Sequence, residues 1–167
     1  NTNYDFGLRI STISIKANWD YDFFNSDYDD KYNTLFFQQF NELEMNNSSL
    51  TGSLGIVHRM NDFNKISFNI SSGFRSPNID DIGKIRENSG ILNVPNMELK
   101  PEYVYTLDFG WSKFNKNFRT NFNIYYTILN GTIGRDYYMG EGNRILYDEE
   151  LVQTMANFNI GNSYVYG

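Results

Sequence analysis

Cysteine is absent from all 167 residues, which removes disulfide frameworks and thiolate metal sites but leaves the compartment open. Histidine occurs once, at position 58. A basic excess is also lacking: 14 Lys and Arg stand against 20 Asp and Glu, a formal net charge of −6. That balance argues against nucleic acid as a partner, because phosphate backbones attract basic surfaces. No apolar run approaches the roughly 18 residues of a spanning helix, and mean hydropathy is −0.53. Helical membrane proteins are thereby excluded, whereas spanning β-strands, which are only half apolar, are not. Gly-rich phosphate loops are missing, and the acids Asp80 and Asp81 are adjacent, so they point apart in an extended loop. Neither a catalytic set, nor a resident cofactor, nor a firm metal site is expected, and the chain does not read as an enzyme.

Aromatic residues, by contrast, are abundant: 14 Phe, 13 Tyr and 2 Trp, or 17% of the chain. Asparagine makes up about one residue in seven. The aromatics follow a period of two. Over 63–75, Ile66, Phe68, Ile70 and Phe74 share one parity, and Lys65, Ser67, Asn69, Ser71 and Arg75 the other. Over 102–112, Tyr103, Tyr105, Leu107, Phe109 and Trp111 alternate with Glu102, Thr106, Asp108 and Ser112. Successive side chains of a strand point to opposite faces, so each segment has one greasy and one polar face. Each is about ten residues long, enough to cross a bilayer as a tilted strand.

Six strands are expected. The first, about 4–19, carries Tyr4, Phe6, Leu8 and Ile10 on one parity and then Ile13, Ile15, Ala17 and Trp19 on the other. The switch at Ser11–Thr12 implies a bulge, or a strand that leaves the membrane and changes its surroundings. The others are about 48–60, a third between the connections at 61–64 and 76–101, then 102–114 and 118–133, with a sixth beginning near Ala156. Connections alternate between long (20–47, 76–101, 134–155) and short (61–64, 115–117). This is the asymmetry of an outer-membrane barrel, with tight periplasmic turns and long extracellular loops. The fold class is therefore all-β, an antiparallel transmembrane β-barrel section. Both ends read as cuts, and no signal-peptide pattern opens the chain at Asn1–Asp5, so a piece of a longer polypeptide is expected.

Two boxes flank the long loop at 76–101: Gly73-Phe74-Arg75-Ser76-Pro77-Asn78, and Val94-Pro95-Asn96-Met97-Glu98-Leu99-Lys100-Pro101-Glu102. Together they resemble the "FRAP"-like strand end and the "NPNLKPE"-like re-entry of TonB-dependent outer-membrane receptors. Ser76 stands where Ala is usual, and the second box is two residues longer than the compact form. The resemblance implies that 1–167 is part of one receptor barrel, about six of an expected 22 strands. The plug domain, the TonB-contacting segment and the barrel ends would lie outside it. It implies import of a scarce nutrient across the bacterial outer membrane with energy relayed by TonB. The expected partners are outer-membrane lipids, the TonB complex through the plug, and a small ligand, first a ferric siderophore or similar chelate. Rival readings are a glycan importer working with a surface lipoprotein, a haem receptor, and a non-transporting carbohydrate-binding β-module whose aromatic face would be covered by a second sheet.

Candidate residues follow from the pattern. Arg75, Asn78, Arg135, Tyr137, Tyr138 and Arg144 lie on the long-loop side, where arginines and aromatics suit an anionic chelate or a sugar ring. Arg59, Ser67, Asn69, Ser71, Glu102, Thr106, Asp108, Arg119, Asn121 and Asn123 are the expected lumen-facing set. Arg75 and Glu102 fall on the polar parity at the same rim, close enough to pair across the hairpin. Pro77 and Pro101, lacking N–H donors, suit the strand ends where the ladder stops. His58 continues the greasy parity of Leu50, Leu54 and Ile56, and is expected in an interfacial girdle rather than at a ligand. No histidine lies within 78–93, which weighs against a haem ligand in that loop. The acidic run Asp20, Asp22, Asn25, Asp27, Asp29 and Asp30 places oxygens at alternate positions. It lacks the Gly and closing Glu of an EF-hand and reads as a solvated loop.

Overall fold

A computed structural model describes residues 1–18, 42–83, 85–147 and 150–167. Trp19, the acidic run from Asp20 to Asp30 and most of the first long loop lie outside these residues. Two antiparallel-dominated sheets make up the fold. The wall sheet runs β1 (Thr2–Asn18), β2 (Glu42–Asn61), β3 (Asn64–Arg75), β6 (Glu102–Phe114), β7 (Arg119–Asn130) and β11 (Asn162–Tyr166), each hydrogen-bonded to the next in that order. The cap sheet is built from β4 (Arg86–Asn88), β5 (Ile91–Asn93), β8 (Ile133–Tyr137), β9 (Arg144–Tyr147) and β10 (Glu150–Asn159). One short helix, α1 (Ile79–Ile82), follows β3.

Wall register turns the alternation of each strand into continuous bands. Tyr4, Ile56, Phe68, Phe109 and Ile124 are mutually opposite across five strands. The next row joins Phe6, Leu54, Ile70, Leu107, Tyr126 and Tyr166. Apart from the half-buried Ile56 these side chains are exposed: Phe6 keeps 68%, Phe109 42% and Ile124 50% of its surface accessible. Cross-strand aromatic and branched neighbours of this kind support a sheet by roughly 0.2–1 kcal/mol per pair. Contiguous exposed apolar surface of this extent marks a face that meets a membrane or another protein.

Strand β1 pairs with β2 in unbroken register from Thr2↔His58 to Asn18↔Glu42. The parity switch at Ser11–Thr12 is therefore not a bulge; the two strands continue straight, and what covers them changes. Past the switch, Ile15, Leu43 and Met45 lie on the inner face and pack on Ile82, Leu99 and Ile133. Strand β2 consequently begins at Glu42 rather than near 48, because Leu43 and Met45 belong to the same strand with the opposite parity.

The sixth wall strand also differs from expectation. Residues 150–159 belong to the cap, and the wall resumes at Asn162. The long connections at 76–101 and 131–161 thus fold into a sheet of their own. Its spine is β10, which pairs in parallel with β5 and antiparallel with β8 and β9. One cap face carries Leu92, Val152 and Ala156, buried with Val94 beneath Ile85, Met97, Tyr138, Ile145, Tyr147 and Phe158. Pro77 and Pro95 are fully buried beside these elements.

Candidate functional site

Wall and cap meet at a polar latch that starts from the Phe74-Arg75 strand end. Arg75 and Glu102 are directly opposite in the β3–β6 ladder. The Arg75 Nε donates to Glu102 Oε2 at 2.5 Å, and another guanidinium nitrogen donates to Asp81 Oδ2 at 2.6 Å. The fork geometry of guanidinium lets one side chain serve two carboxylates. Asp81 also accepts from the Asn78 backbone N–H at 2.9 Å, while Asn78 Oδ1 accepts from the N–H groups of Asp80 and Asp81. This is a reciprocal capping box, and it explains why so short a helix forms there. Glu102 Oε1 accepts from the Ile133 N–H at 2.7 Å, which fastens the start of β8 to the same point.

Asparagines complete the latch. Asn96 donates to the Asn157 carbonyl at 2.7 Å, and Asn157 donates to the Asp81 carbonyl at 2.7 Å. Asn159 accepts from the Lys100 N–H at 2.8 Å and donates to the carbonyls of Lys100 and Gly131. Asn47 on β2 donates to Ser76 Oγ at 2.8 Å. Side-chain amides here pair with backbone groups where the strands part company, as buried main-chain donors and acceptors require. Gly131 sits at φ +72°, and a Cβ there would meet the Pro101 carbonyl oxygen at 3.3 Å, which suits glycine at this crossing.

The expected lumen-facing residues share the wall face opposite the aromatic rows. Register aligns Arg59 with Lys65, Ser112 and Asn121; Ser67 with Gly110 and Asn123; Asn69 with Asp108; and Ser71 with Thr106. Asn69 donates to Asp108 at 3.4 Å, and Thr106 shares a hydrogen bond with Thr127 at 3.1 Å. Arg119 lies over the Phe114 ring at 4.8 Å. Glu102 lies on this face too, but its two oxygens are engaged in the latch.

The expected ligand-side residues divide into three groups. Arg75 and Asn78 are built into the latch. Tyr138 turns to the buried cap face, stacks on Phe158 at 6.3 Å, and desolvation with nearby Glu98 raises its phenol pKa, so it stays neutral. Arg135, Tyr137 and Arg144 lie on the opposite, open cap face, with Arg135 opposite Asn157, Tyr137 opposite Met155 and Arg144 opposite Gln153. Arg86 was not singled out from the sequence. It lies opposite Asn93, which is in turn opposite Met155, and so belongs to the same open face. The faint signal was the Arg86-x-Asn88 alternation inside a stretch otherwise read as loop. His58 lies in the outward row with Thr2, Ile66, Trp111 and Phe122 and shares a 2.8 Å hydrogen bond with Thr2.

Among the described residues no group of three or more His, Cys, Asp or Glu is placed to hold a metal. No helix is long and apolar enough to cross a membrane, which says nothing about strands.

The family described as TonB dependent receptor-like, beta-barrel, matches residues 1–167. The chain belongs to that family, whose members are outer-membrane proteins of Gram-negative bacteria. No curated protein sequence matches it. Among solved structures it is similar to a double mutant of the Serratia marcescens hemophore receptor HasR in complex with its hemophore HasA and heme. The TM-score is 0.67 at 12% identity, over 99% of this chain and 28% of that one. At that identity the likeness concerns the fold, a section of β-barrel wall with its loops.

Proposed function

We propose that this chain is a wall section of an outer-membrane importer that captures an anionic ferric chelate of the siderophore type and passes it inward with TonB-coupled energy. The observation that supports a lipid-facing wall is the height of the apolar band. From the Trp111–Phe122 row to the Phe74–Tyr103 row is eight residues along β6. That is about 27 Å of strand, or about 20 Å along the membrane normal at the tilt of a barrel, near the height of an outer-membrane apolar band. Glu42 and Glu44 lie beyond it on β2, in the region past the parity switch. A soluble β-module would need a second sheet over this band, and among the described residues the cap instead packs on the inner face through Ile82 and Leu99.

In this reading the inner polar face borders the route around a plug supplied by the rest of the receptor, and TonB acts through that plug. Arg75 and Asn78 hold the capping loop rather than touch ligand; Arg135, Tyr137 and Arg144 remain exposed on the loop side. Arginine there favours an anion over a neutral sugar. A glycan importer with a lipoprotein lid is the second reading; Tyr137 alone, exposed at 38%, offers a platform for a sugar ring on the open face.

The test is uptake by cells with and without the full-length receptor, using radioiron chelates and labelled oligosaccharides in parallel. Receptor-dependent iron uptake supports the proposal. Receptor-dependent oligosaccharide uptake without iron uptake replaces it with the glycan reading.

A further inference from the structure

The short-turn end of the wall carries an excess of positive charge in an otherwise acidic chain. Residues 57–67 and 111–122 hold Arg59, Lys65, Lys113, Lys116 and Arg119 against Asp62 alone, although acids outnumber bases in the chain by 20 to 14. Among the described residues none of these five cations has an ion-pair partner. The loop end differs: Lys16 meets Glu44 at 3.3 Å, and Arg75 meets Asp81 and Glu102. Met60, Phe63 and Phe118 also lie at the short-turn end, past the apolar band and exposed.

Register sorts these side chains between the two wall faces. Ile66, Trp111 and Phe122 form the last outward row of the band, and Asn64, Lys113 and Thr120 form the outward row beyond it. The Asn64 amide donates to Asn61 Oδ1 at 3.0 Å, which leaves the exposed Lys113 ammonium and Thr120 hydroxyl as the free donors of that row. Lys116 is exposed in the turn that follows, where Asn115 Oδ1 accepts its backbone N–H and the Asn115 N–H donates to the Phe118 carbonyl. Arg59 and Lys65 are opposite one another on the inner face, and Arg119 lies over Phe114 on that face.

We infer that this outward row is a binding site for an anionic phospholipid of the periplasmic leaflet. Its phosphate would be met by Lys113, Lys116 and the Thr120 hydroxyl, and its glycerol and first acyl carbons would lie on Trp111, Phe118 and Phe122. Basic side chains rising beside apolar rings toward a charged layer are the pattern of a bilayer edge, and cations at that height favour anionic headgroups. A zwitterionic headgroup brings its own ammonium, which two unpaired lysines disfavour. Asp62, the one acid at this end, belongs to the neighbouring turn and pairs with neither lysine. An acidic segment of the receptor inside the barrel would meet Arg59 and Lys65 instead, because Lys113 shares its face with Trp111 and Phe122. The inference rests on the lipid-facing reading of the wall above; lipid retention and cargo uptake test the two separately.

The experiment uses the full-length receptor in detergent, offered phosphatidylglycerol and phosphatidylcholine with the same acyl chains, and reads the retained lipid by native mass spectrometry. Phosphatidylglycerol should be preferred, and the preference should fall about fivefold in Lys113→Gln and again on adding Lys116→Gln. Lys113→Arg, which keeps the charge, should retain it, and Lys16→Gln at the loop end should leave it unchanged. Heat-modifiable gel mobility checks that the barrel is assembled in each variant. Equal retention of the two lipids, or a preference that survives the double substitution, overturns the site. A preference indifferent to both lysines, with the plug loosened to protease in Arg59→Gln/Lys65→Gln, assigns the cations to an acidic segment of the receptor and also overturns it. If the parental receptor shows no lipid preference while cells import through it, the lipid site is wrong and the importer stands. If the preference is present and deletion of the receptor changes no uptake, the lipid site stands and the importer is wrong.

Discussion

Wall and cap are sheets with the same period-two alternation and opposite solvation. In the wall, Phe6, Ile70, Leu107 and Phe109 lie on the exposed side and Ser67, Asn69 and Thr106 on the inner one. In the cap, Leu92, Val152 and Ala156 are buried, while Arg86, Arg135 and Arg144 are open. Alternation therefore says that a strand has two different neighbours without saying which one is water. The chain resolves this by continuity: β1 and β2 run from one regime to the other without a register break, and their apolar parity flips where the cap begins.

The largest expected effect breaks the wall side of this comparison. Phe109→Arg puts a charge in the middle of the exposed band and should cost about 2–4 kcal/mol near the bilayer midplane. Asn123→Arg, one row away on the other face, should be mild. Assembly of the full receptor, followed by heat-modifiable mobility, measures both, and equal damage from the two would remove the lipid-facing assignment. The cap should answer differently. Leu92→Ala deletes a side chain with no exposed surface and should cost about 2–5 kcal/mol of cap stability. Limited proteolysis of the native receptor should show earlier cleavage in the cap connections, with the barrel still assembled. Loss of the barrel itself would mean that wall and cap fold as a single unit.

How much of this was legible depends on how local the information is. Strand β6 reads off the sequence well, because an aromatic or leucine holds every second position from Tyr103 to Trp111, Pro101 marks its start and the Asn115-Lys116-Asn117 turn its end. The Arg75–Glu102 pairing follows from parity and a shared rim. The cap was not legible as a sheet: β5 pairs in parallel with β10 across 60 residues, and three-residue strands carry too little pattern to be told from loop. Ala156 and Phe158 alternate with Asn157 and Asn159 as wall residues would, so nothing local shows that this stretch belongs to the cap and that the wall restarts at Asn162. In an extended chain Asp81 would point away from Asp80, and nothing in the local pattern gives it a partner. The capping box turns that stretch into helix and swings Asp81 onto Arg75.

The latch gives a smaller prediction that joins the two regions. Arg75→Ala leaves Asp81 and Glu102 facing one another without their shared cation, and should cost about 1–3 kcal/mol. Half of the arginine side chain is exposed, so solvent screening keeps the figure at the lower end. Arg75→Lys keeps the charge but not the two-armed geometry, and should recover part of the loss. The readout is protease sensitivity of residues 76–101 in the assembled receptor. If Arg75→Ala leaves that segment as resistant as before, the apolar packing of Ile82 and Leu99 alone holds the cap, and the polar latch is incidental.

The smallest expected effect concerns His58, and it sharpens the comparison from the wall's turn end. Its row contains Thr2, Ile66, Trp111 and Phe122, and its ring shares a hydrogen bond with Thr2. An aromatic ring with a polar edge suits the height at which lipid gives way to headgroup, the place that tyrosine and tryptophan usually fill. His58→Phe keeps the ring and loses one exposed hydrogen bond, so stability should change by no more than about 0.5 kcal/mol. Receptor-dependent uptake should be unaltered, because the ring lies on the opposite wall face from the polar rows. Loss of uptake without loss of assembly would instead make this histidine part of a ligand path, and would require the outward and inward faces of β2 to be exchanged.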